Sequence, residues 1–173
     1  MNLIVTCARN LEGEAEEEII DILDELGDPD GKISISNMSG IITIQTKLDP
    51  IEVVSKMKEI LLDEPWSIRY CLRVIPIQKI VETNLEKIQE CISSISNNIE
   101  DDESYRILIE KRNSDISSKE IITNIANQIK NKVSLDYPDK IILIEILGIV
   151  TGISLIKKSD ILSLEKTKRS MSE

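Results

Sequence analysis

The apolar residues of the first 77 positions change period in a fixed order, and that order limits the folds they can enter. Asn2-Leu3-Ile4-Val5-Thr6-Cys7 is a short apolar run of strand type, and the stretch from Leu11 to Leu26 then places Ala15, Ile19, Ile22, Leu23 and Leu26 at helical spacing. Gly27-Asp28-Pro29-Asp30-Gly31 breaks that helix, after which Lys32 to Ser36 and Ile41 to Thr46 alternate apolar and polar around Asn37-Met38-Ser39-Gly40, as a hairpin does. Asp49 before Pro50 opens a second helix striped by Val53, Val54, Met57, Ile60 and Leu61, and a fourth strand is expected from Ser67 to about Ile77. The order β-α-β-β-α-β is ferredoxin-like, with two helices on one face of an antiparallel sheet, so residues 1–77 are expected to close a domain by themselves.

The remainder reads as a second α/β unit over residues 78–164, giving an α+β chain. A helix is expected from Asn84 to Ile95, a strand from Tyr105 to Arg112, a helix from Ser118 to Lys132, and strands from Ile141 to Leu147 and Gly152 to Lys157. Ser117 with Glu120 has capping-box spacing, and Ile121, Ile125 and Ile129 form the buried stripe behind it. Asn97 to Glu103 is a polar connector, and residues 165–173 are expected to be a frayed, charged tail.

Several functions are excluded by what the chain lacks. It has no histidine, which removes the usual general base near neutral pH, the commonest metal ligand and the partner that activates a serine or cysteine nucleophile. Its six glycines form neither GxGxxG nor GxxxxGK, so no cradle for a nucleotide phosphate is present and no ATP, NAD or S-adenosylmethionine cofactor is expected. Cys7, Cys71 and Cys91 are scattered without a CxxC pair, as buried thiols of a reducing compartment are. Leu3-Ile4-Val5 is too short for a signal peptide and no apolar run nears the roughly 20 residues of a membrane span. A cytoplasmic, non-catalytic protein without metal or membrane partner is the expectation.

Net charge of −10 taken alone opposes nucleic-acid binding, but the average conceals an asymmetry. Residues 1–66 hold 5 of the 21 basic and 15 of the 31 acidic side chains, which leaves 16 of each after residue 66. Any RNA surface should therefore lie in the later part. Glu14, Glu16, Glu17, Glu18, Asp21, Asp24 and Glu25 read as the solvated face of the first helix rather than a metal or acid/base cluster, and Asp28-Pro29-Asp30-Gly31 as a turn rather than a calcium loop. Arg69 and Arg73, four apart on one expected strand, share a sheet face and suit either phosphate oxygens or carboxylates of the acidic helix. Lys111-Arg112-Asn113 ends a strand just before a capped helix, where free N–H groups and the helix dipole favour a phosphate. Lys119, Lys140, Lys157 and Lys158 can extend that site.

Those residues sit in ordered text that resembles a THUMP domain. The resemblance runs through Arg69-Tyr70-Cys71-Leu72-Arg73-Val74-Ile75-Pro76-Ile77, Tyr105-Arg106-Ile107-Leu108-Ile109-Glu110-Lys111-Arg112-Asn113, Ser118-Lys119-Glu120-Ile121-Ile122, Lys132 to Asp139, Ile144-Glu145-Ile146 and Gly152-Ile153-Ser154-Leu155. It is to the small THUMP proteins that act as adaptors in tRNA N4-acetylcytidine formation. The resemblance implies a ferredoxin-like unit upstream of the THUMP domain, recognition of the acceptor stem and 3′ CCA end of tRNA, and presentation of that tRNA to a separate tRNA cytidine acetyltransferase or other modification enzyme. It implies RNA contacts at Lys111, Arg112 and Asn113, with Arg69, Arg73 and Lys119 next. The rival expectation is a small-molecule regulatory module, because ferredoxin-like pairs also form amino-acid-binding domains.

Overall fold

The structure is a computed structural model describing residues 1–173. In chain order it contains β1 (Leu3–Thr6), α1 (Glu12–Glu25), β2 (Lys32–Ile35), β3 (Ile41–Gln45), α2 (Pro50–Asp63), β4 (Arg73–Pro76), β5 (Lys79–Glu82), α3 (Leu85–Ser96), β6 (Tyr105–Arg112), α4 (Ser118–Gln128), β7 (Lys140–Leu147), β8 (Val150–Ile156), β9 (Leu162–Ser163) and α5 (Leu164–Ser172). They form an α+β chain of two compact units, one of residues 1–77 with 159–173 and one of residues 78–158.

The first unit has the antiparallel order β2-β3-β1-β4, which is the ferredoxin-like order, extended by β9. Register explains the core: Leu3 and Val5 of β1 stand opposite Ile44 and Ile42 of β3, and Val5 opposite Val74 of β4, so one face of the sheet is aliphatic. On it pack Ala15, Ile19, Ile22 and Leu23 of α1 with Val53, Val54, Met57 and Leu61 of α2. Asp49 Oδ1 accepts from Ile51 N and Glu52 N at 2.8 and 3.3 Å, starting α2 where its sequence promised. The hairpin turn between β2 and β3 needs Gly40, whose φ is +74° and where a Cβ would stand 2.6 Å from the Cys7 carbonyl oxygen.

Two expectations are corrected here. The fourth strand is only Arg73–Pro76, because the N–H groups of Arg69, Tyr70 and Cys71 donate to the Glu18 carboxylate at 2.8, 3.1 and 2.9 Å instead of entering a ladder. Glu18 is thereby a structural clasp, not one more solvated charge. The segment read as a frayed tail is also ordered, and residues 159–173 belong to the first unit rather than to the second. Leu162 pairs with Val74 across β9–β4 and is fully buried, Leu164 is buried beside it, and Met171 packs against the same core. Three well-spaced apolar side chains suffice to dock a segment whose composition is otherwise charged.

Two carboxylates further brace this unit. Asp28, buried in the turn after α1, accepts from Thr46 Oγ1 and from Lys47 N at 2.9 Å, and the Thr46 hydroxyl is the main reason its carboxyl sits below the usual range. Glu12 accepts from Gly40 N at 2.8 Å, which likewise lowers its carboxyl.

The second unit has the order β5-β8-β7-β6, with β6 parallel to β7 and the other neighbours antiparallel. Helices α3 and α4 lie against each other on one face, and the buried core beneath them is Ile88, Ile92, Ile95, Ile99, Ile121, Ile125, Ile129, Ile142, Ile144, Ile146 and Ile153 with Tyr105. Helix α4 stops at Gln128, short of the expected Lys132, because the following backbone turns back to bond Tyr105: its N–H donates to Lys132 O, and its carbonyl accepts from Ser134 N, both at 3.0 Å. β5 was not foreseen; four residues at the sheet edge, mostly exposed, carry too little pattern to read.

Leu162→Ala should lower stability by about 2–4 kcal/mol through the cavity it leaves, shifting the midpoint of thermal unfolding downward by several degrees. An unchanged midpoint would show that residues 159–173 do not support the core. The unfolded forms of Asp28 and Glu12 titrate near pH 4 and the folded forms lower, so the stability they add is present above that value and is lost as pH falls through the folded values. Thermal melts should thus decline below about pH 5, and less steeply in Asp28→Asn.

Candidate nucleic-acid interface

The strand directions of the second unit bring several loops to one end of its sheet. Arg112 stands opposite Leu147 where the parallel strands β6 and β7 finish, and Leu147 faces Val150 across the β7–β8 turn. Val150 in turn faces Glu82, the last residue of β5. The chain leaves β6 directly into the start of α4 and leaves β5 into the start of α3, so both helices present their N-termini at this end. Ser117 Oγ accepts from Glu120 N at 3.2 Å and Asn84 Oδ1 from Glu86 N at 2.9 Å, which caps each helix without filling all the free donors of its first turn. Asn84 Oδ1 also accepts from Lys87 N at 3.2 Å, so α3 keeps fewer free donors in its first turn than α4 does, and two positive dipole ends face the same side.

The residues singled out from sequence distribute unevenly about this end. Lys111 is exposed and its Nζ donates to Ile116 O at 2.9 Å, lying over the loop that leads into α4. Asn113 is exposed at φ +54°, the left-handed conformation in which asparagine is tolerated, and this turns the chain out of the strand. Ser114 Oγ accepts from Ile116 N at 3.2 Å, and Gly148 N donates to Arg112 O at 2.9 Å, so both loops at this end are tied down. Lys119 is exposed in the first turn of α4. Lys111, Asn113 and Lys119 thus surround one helix N-terminus.

Arg112 behaves differently. Consecutive strand residues point to opposite faces, so Lys111 lies on the helix side and Arg112 on the other, where its Nη1 stands 3.4 Å from Oε2 of the fully buried Glu145. The expectation that three successive side chains meet one ligand fails on this alternation. Arg69 and Arg73 do not share a strand face either: Arg69 lies in the irregular segment before β4 with its Nε donating to Trp66 O at 3.1 Å, and Arg73 alone is in the sheet. Both belong to the first unit. The start of α3, with Asn84 and Lys87, is readable as a helix start but not as part of this end of the unit, which only β5 brings it to.

No run of cations dominates the site, since Glu82, Glu86, Asp115 and Glu120 lie near its lysines in sequence and at the same end of the elements. The fixed helical donors therefore supply much of its attraction for an anion. By contrast, the cleft of about 250 Å³ between α1 and α2 of the first unit is walled by Glu18, Asp21, Glu25, Asp63 and Glu64 over an Ile22, Ile60 and Ile68 floor, and repels phosphate. No group of three or more acidic or cysteine side chains is arranged to hold a metal ion. Burial raises the thiols of Cys7, Cys71 and Cys91, which suppresses their nucleophilic thiolate forms. No helix is long and apolar enough to cross a membrane.

Residues 82–156, most of the second unit, match the family model of the THUMP domain. No curated protein matches the sequence. Among solved structures, a Pyrococcus horikoshii protein is similar at 22% identity with a TM-score of 0.64, over 91% of this chain and 55% of its own. TrmN from Thermus thermophilus is similar at 13% identity and TM-score 0.61, over 88% and 44%. A 4-thiouridine synthetase, solved as an RNA complex with bound ATP, is similar at 12% identity and TM-score 0.55, over 93% and 41%. These likenesses establish the fold, with the two units recurring together. The chain spans about half, or less, of the length of each of these structures.

The division of labour at the strand end is measurable. Arg112→Ala removes a donor from a buried carboxylate and should cost about 1–3 kcal/mol, whereas Lys111→Ala should stay within about 0.5 kcal/mol of the parent in chemical denaturation.

Proposed function

We propose that this chain is a non-catalytic tRNA-binding adaptor that takes the acceptor stem and 3′ CCA end and presents the tRNA to a separate modification enzyme, a tRNA cytidine acetyltransferase. The observation that carries the proposal is the meeting of two helix N-termini with Lys111, Asn113 and Lys119 at one end of the THUMP-matching unit. Such an end offers fixed N–H donors to phosphate oxygens and long cationic side chains to either side of them. A terminal single strand, whose phosphates are not held in a duplex, can bend to meet donors that do not follow a groove.

The non-catalytic part rests on residues. The chain has no histidine, and burial raises its thiols, so two of the side-chain types most often used for proton transfer and nucleophilic attack near neutral pH are withdrawn. On this reading, chemistry on the bound tRNA is supplied by a separate enzyme. Arg69 and Arg73 are assigned a supporting role toward RNA from the first unit, and Arg112 acts mainly by holding Glu145.

A gel shift with mature tRNA and with tRNA trimmed of its 3′ CCA tests the reading. Mature tRNA should bind more tightly, Lys111→Ala/Lys119→Ala should weaken it about tenfold or more, and three or four phosphate contacts should give a log–log salt slope of about −2 to −4. Equal binding of both RNAs would reject recognition of the CCA end, and no binding at low salt would favour a small-molecule module. Loss of the gene should lower N4-acetylcytidine in tRNA, and unchanged levels would reject the acetyltransferase as the enzyme served.

A further inference from the structure

The loop between α4 and β7 displays an apolar surface used neither by the core nor by the RNA site. Val133, Leu135 and Tyr137 alternate along it and are 51%, 66% and 88% exposed. The loop is nevertheless tied in place. Tyr105 bonds the backbone of both Lys132 and Ser134, Arg106 Nη1 donates to Leu135 O at 3.0 Å, Tyr137 N donates to Ser134 Oγ at 3.2 Å, and the Asp139 carboxylate accepts from Ser104 N at 2.8 Å. A backbone held at so many points keeps large apolar side chains in water at fixed positions, which is unfavourable unless something covers them. A preorganised tyrosine is among the groups on which protein interfaces concentrate their binding energy, and neighbouring aliphatic side chains add apolar area beside it.

Charge decides what covers them. Exposed Glu100, Asp101 and Asp102 belong to the connector that Asn131 ties to this loop through the carbonyls of Glu100 and Glu103, at 2.7 and 3.0 Å. Asp136 stands exposed between Leu135 and Tyr137. Against these carboxylates there are exposed Lys130 and Lys132, while the Arg106 guanidinium is engaged by Leu135 O. An RNA backbone would meet the excess of negative charge, whereas an apolar protein pocket rimmed by lysine or arginine would find its complement. The loop also lies at the Tyr105 end of β6, one strand length of about 23 Å from the Arg112 end, so one surface can be covered while the other stays open.

We infer that Leu135 and Tyr137 form a knob that docks this chain into an apolar, basic-rimmed pocket of a protein partner. Resting on the adaptor reading above, that partner is the modification enzyme itself. The test titrates the purified tRNA cytidine acetyltransferase of the same organism with the full chain, alongside the tRNA gel shift, light scattering and a thermal melt. Wild type should bind the enzyme. Leu135→Ala/Tyr137→Ala should bind it at least about 30-fold more weakly, with unchanged melting and with tRNA affinity within about twofold. Lys111→Ala/Lys119→Ala should show the reverse pattern. Equal enzyme affinity in Leu135→Ala/Tyr137→Ala would overturn the docking inference while leaving the adaptor reading in place, and absence of wild-type binding would overturn both for this enzyme. Loss of tRNA binding in that variant would reassign the surface to RNA, and a wild-type dimer that the variant dissolves would reassign it to a second copy of the chain.

Discussion

The parallel pairing of β6 with β7 sets the polarity of the whole second unit. Two parallel neighbours need a crossover, and here α4 supplies it, so α4 must begin where β6 ends and the chain must return along the helix before β7 can start. The antiparallel strands β8 and β5 then carry the direction across the sheet and bring the start of α3 back to the end where α4 starts. Were β6 and β7 joined as a hairpin, no helix would intervene and the two N-termini could not share an end. The candidate anion site is thus a consequence of topology first and of particular lysines second.

That topology is held by an aliphatic core. Except for Tyr105, the buried cluster of the second unit is isoleucine throughout. β-Branched side chains have few rotamers to lose, and they fit both the pleated sheet and, at modest cost, the helices above it. Because packing does not call on aromatics, the placement of the few present carries information: Trp66 is 64% and Tyr137 88% exposed. Neither contributes to a core. In a chain with one Trp, three Tyr and no Phe, leaving two rings in water points to surface roles for them.

Elements whose two faces differ were legible in the sequence, and elements that rely on distant partners were not. Helices α1, α2 and α3 announce themselves by period, β7 by its nearly unbroken apolar run, and Asp49 and Ser117 mark helix starts by the hydrogen bonds they go on to make. β5 and β9 are short edge strands whose existence depends on β8 and β4, so their own residues carry almost no pattern. The late start of the fourth strand, at residue 73 rather than 67, depends on Glu18, some fifty residues earlier, taking three amides that local reasoning assigned to a ladder. Of the site, Lys111, Asn113 and Lys119 were readable because strand end, turn and cap are local features. The diversion of Arg112 was not, since nothing in Lys111-Arg112-Asn113 reveals a buried carboxylate on the neighbouring strand.

Acidity of the chain as a whole is a poor guide to what its second unit can bind. Residues 78–158 hold 11 basic and 13 acidic side chains, so this unit is close to neutral and its behaviour rests on how charge is arranged. Six of the 13 carboxylates, at positions 100 to 103, 136 and 139, lie at the Tyr105 end, and the C-termini of α3 and α4 add their negative dipole ends there. At the Arg112 end the helix N-termini and Lys111 and Lys119 work in the opposite sense. Since screening at physiological salt confines exposed charges to a range of about 8 Å, two ends about 23 Å apart act independently. An anionic ligand and a basic protein surface can then each find a matching end on one unit, which is the physical requirement for an adaptor that holds a nucleic acid and a protein together.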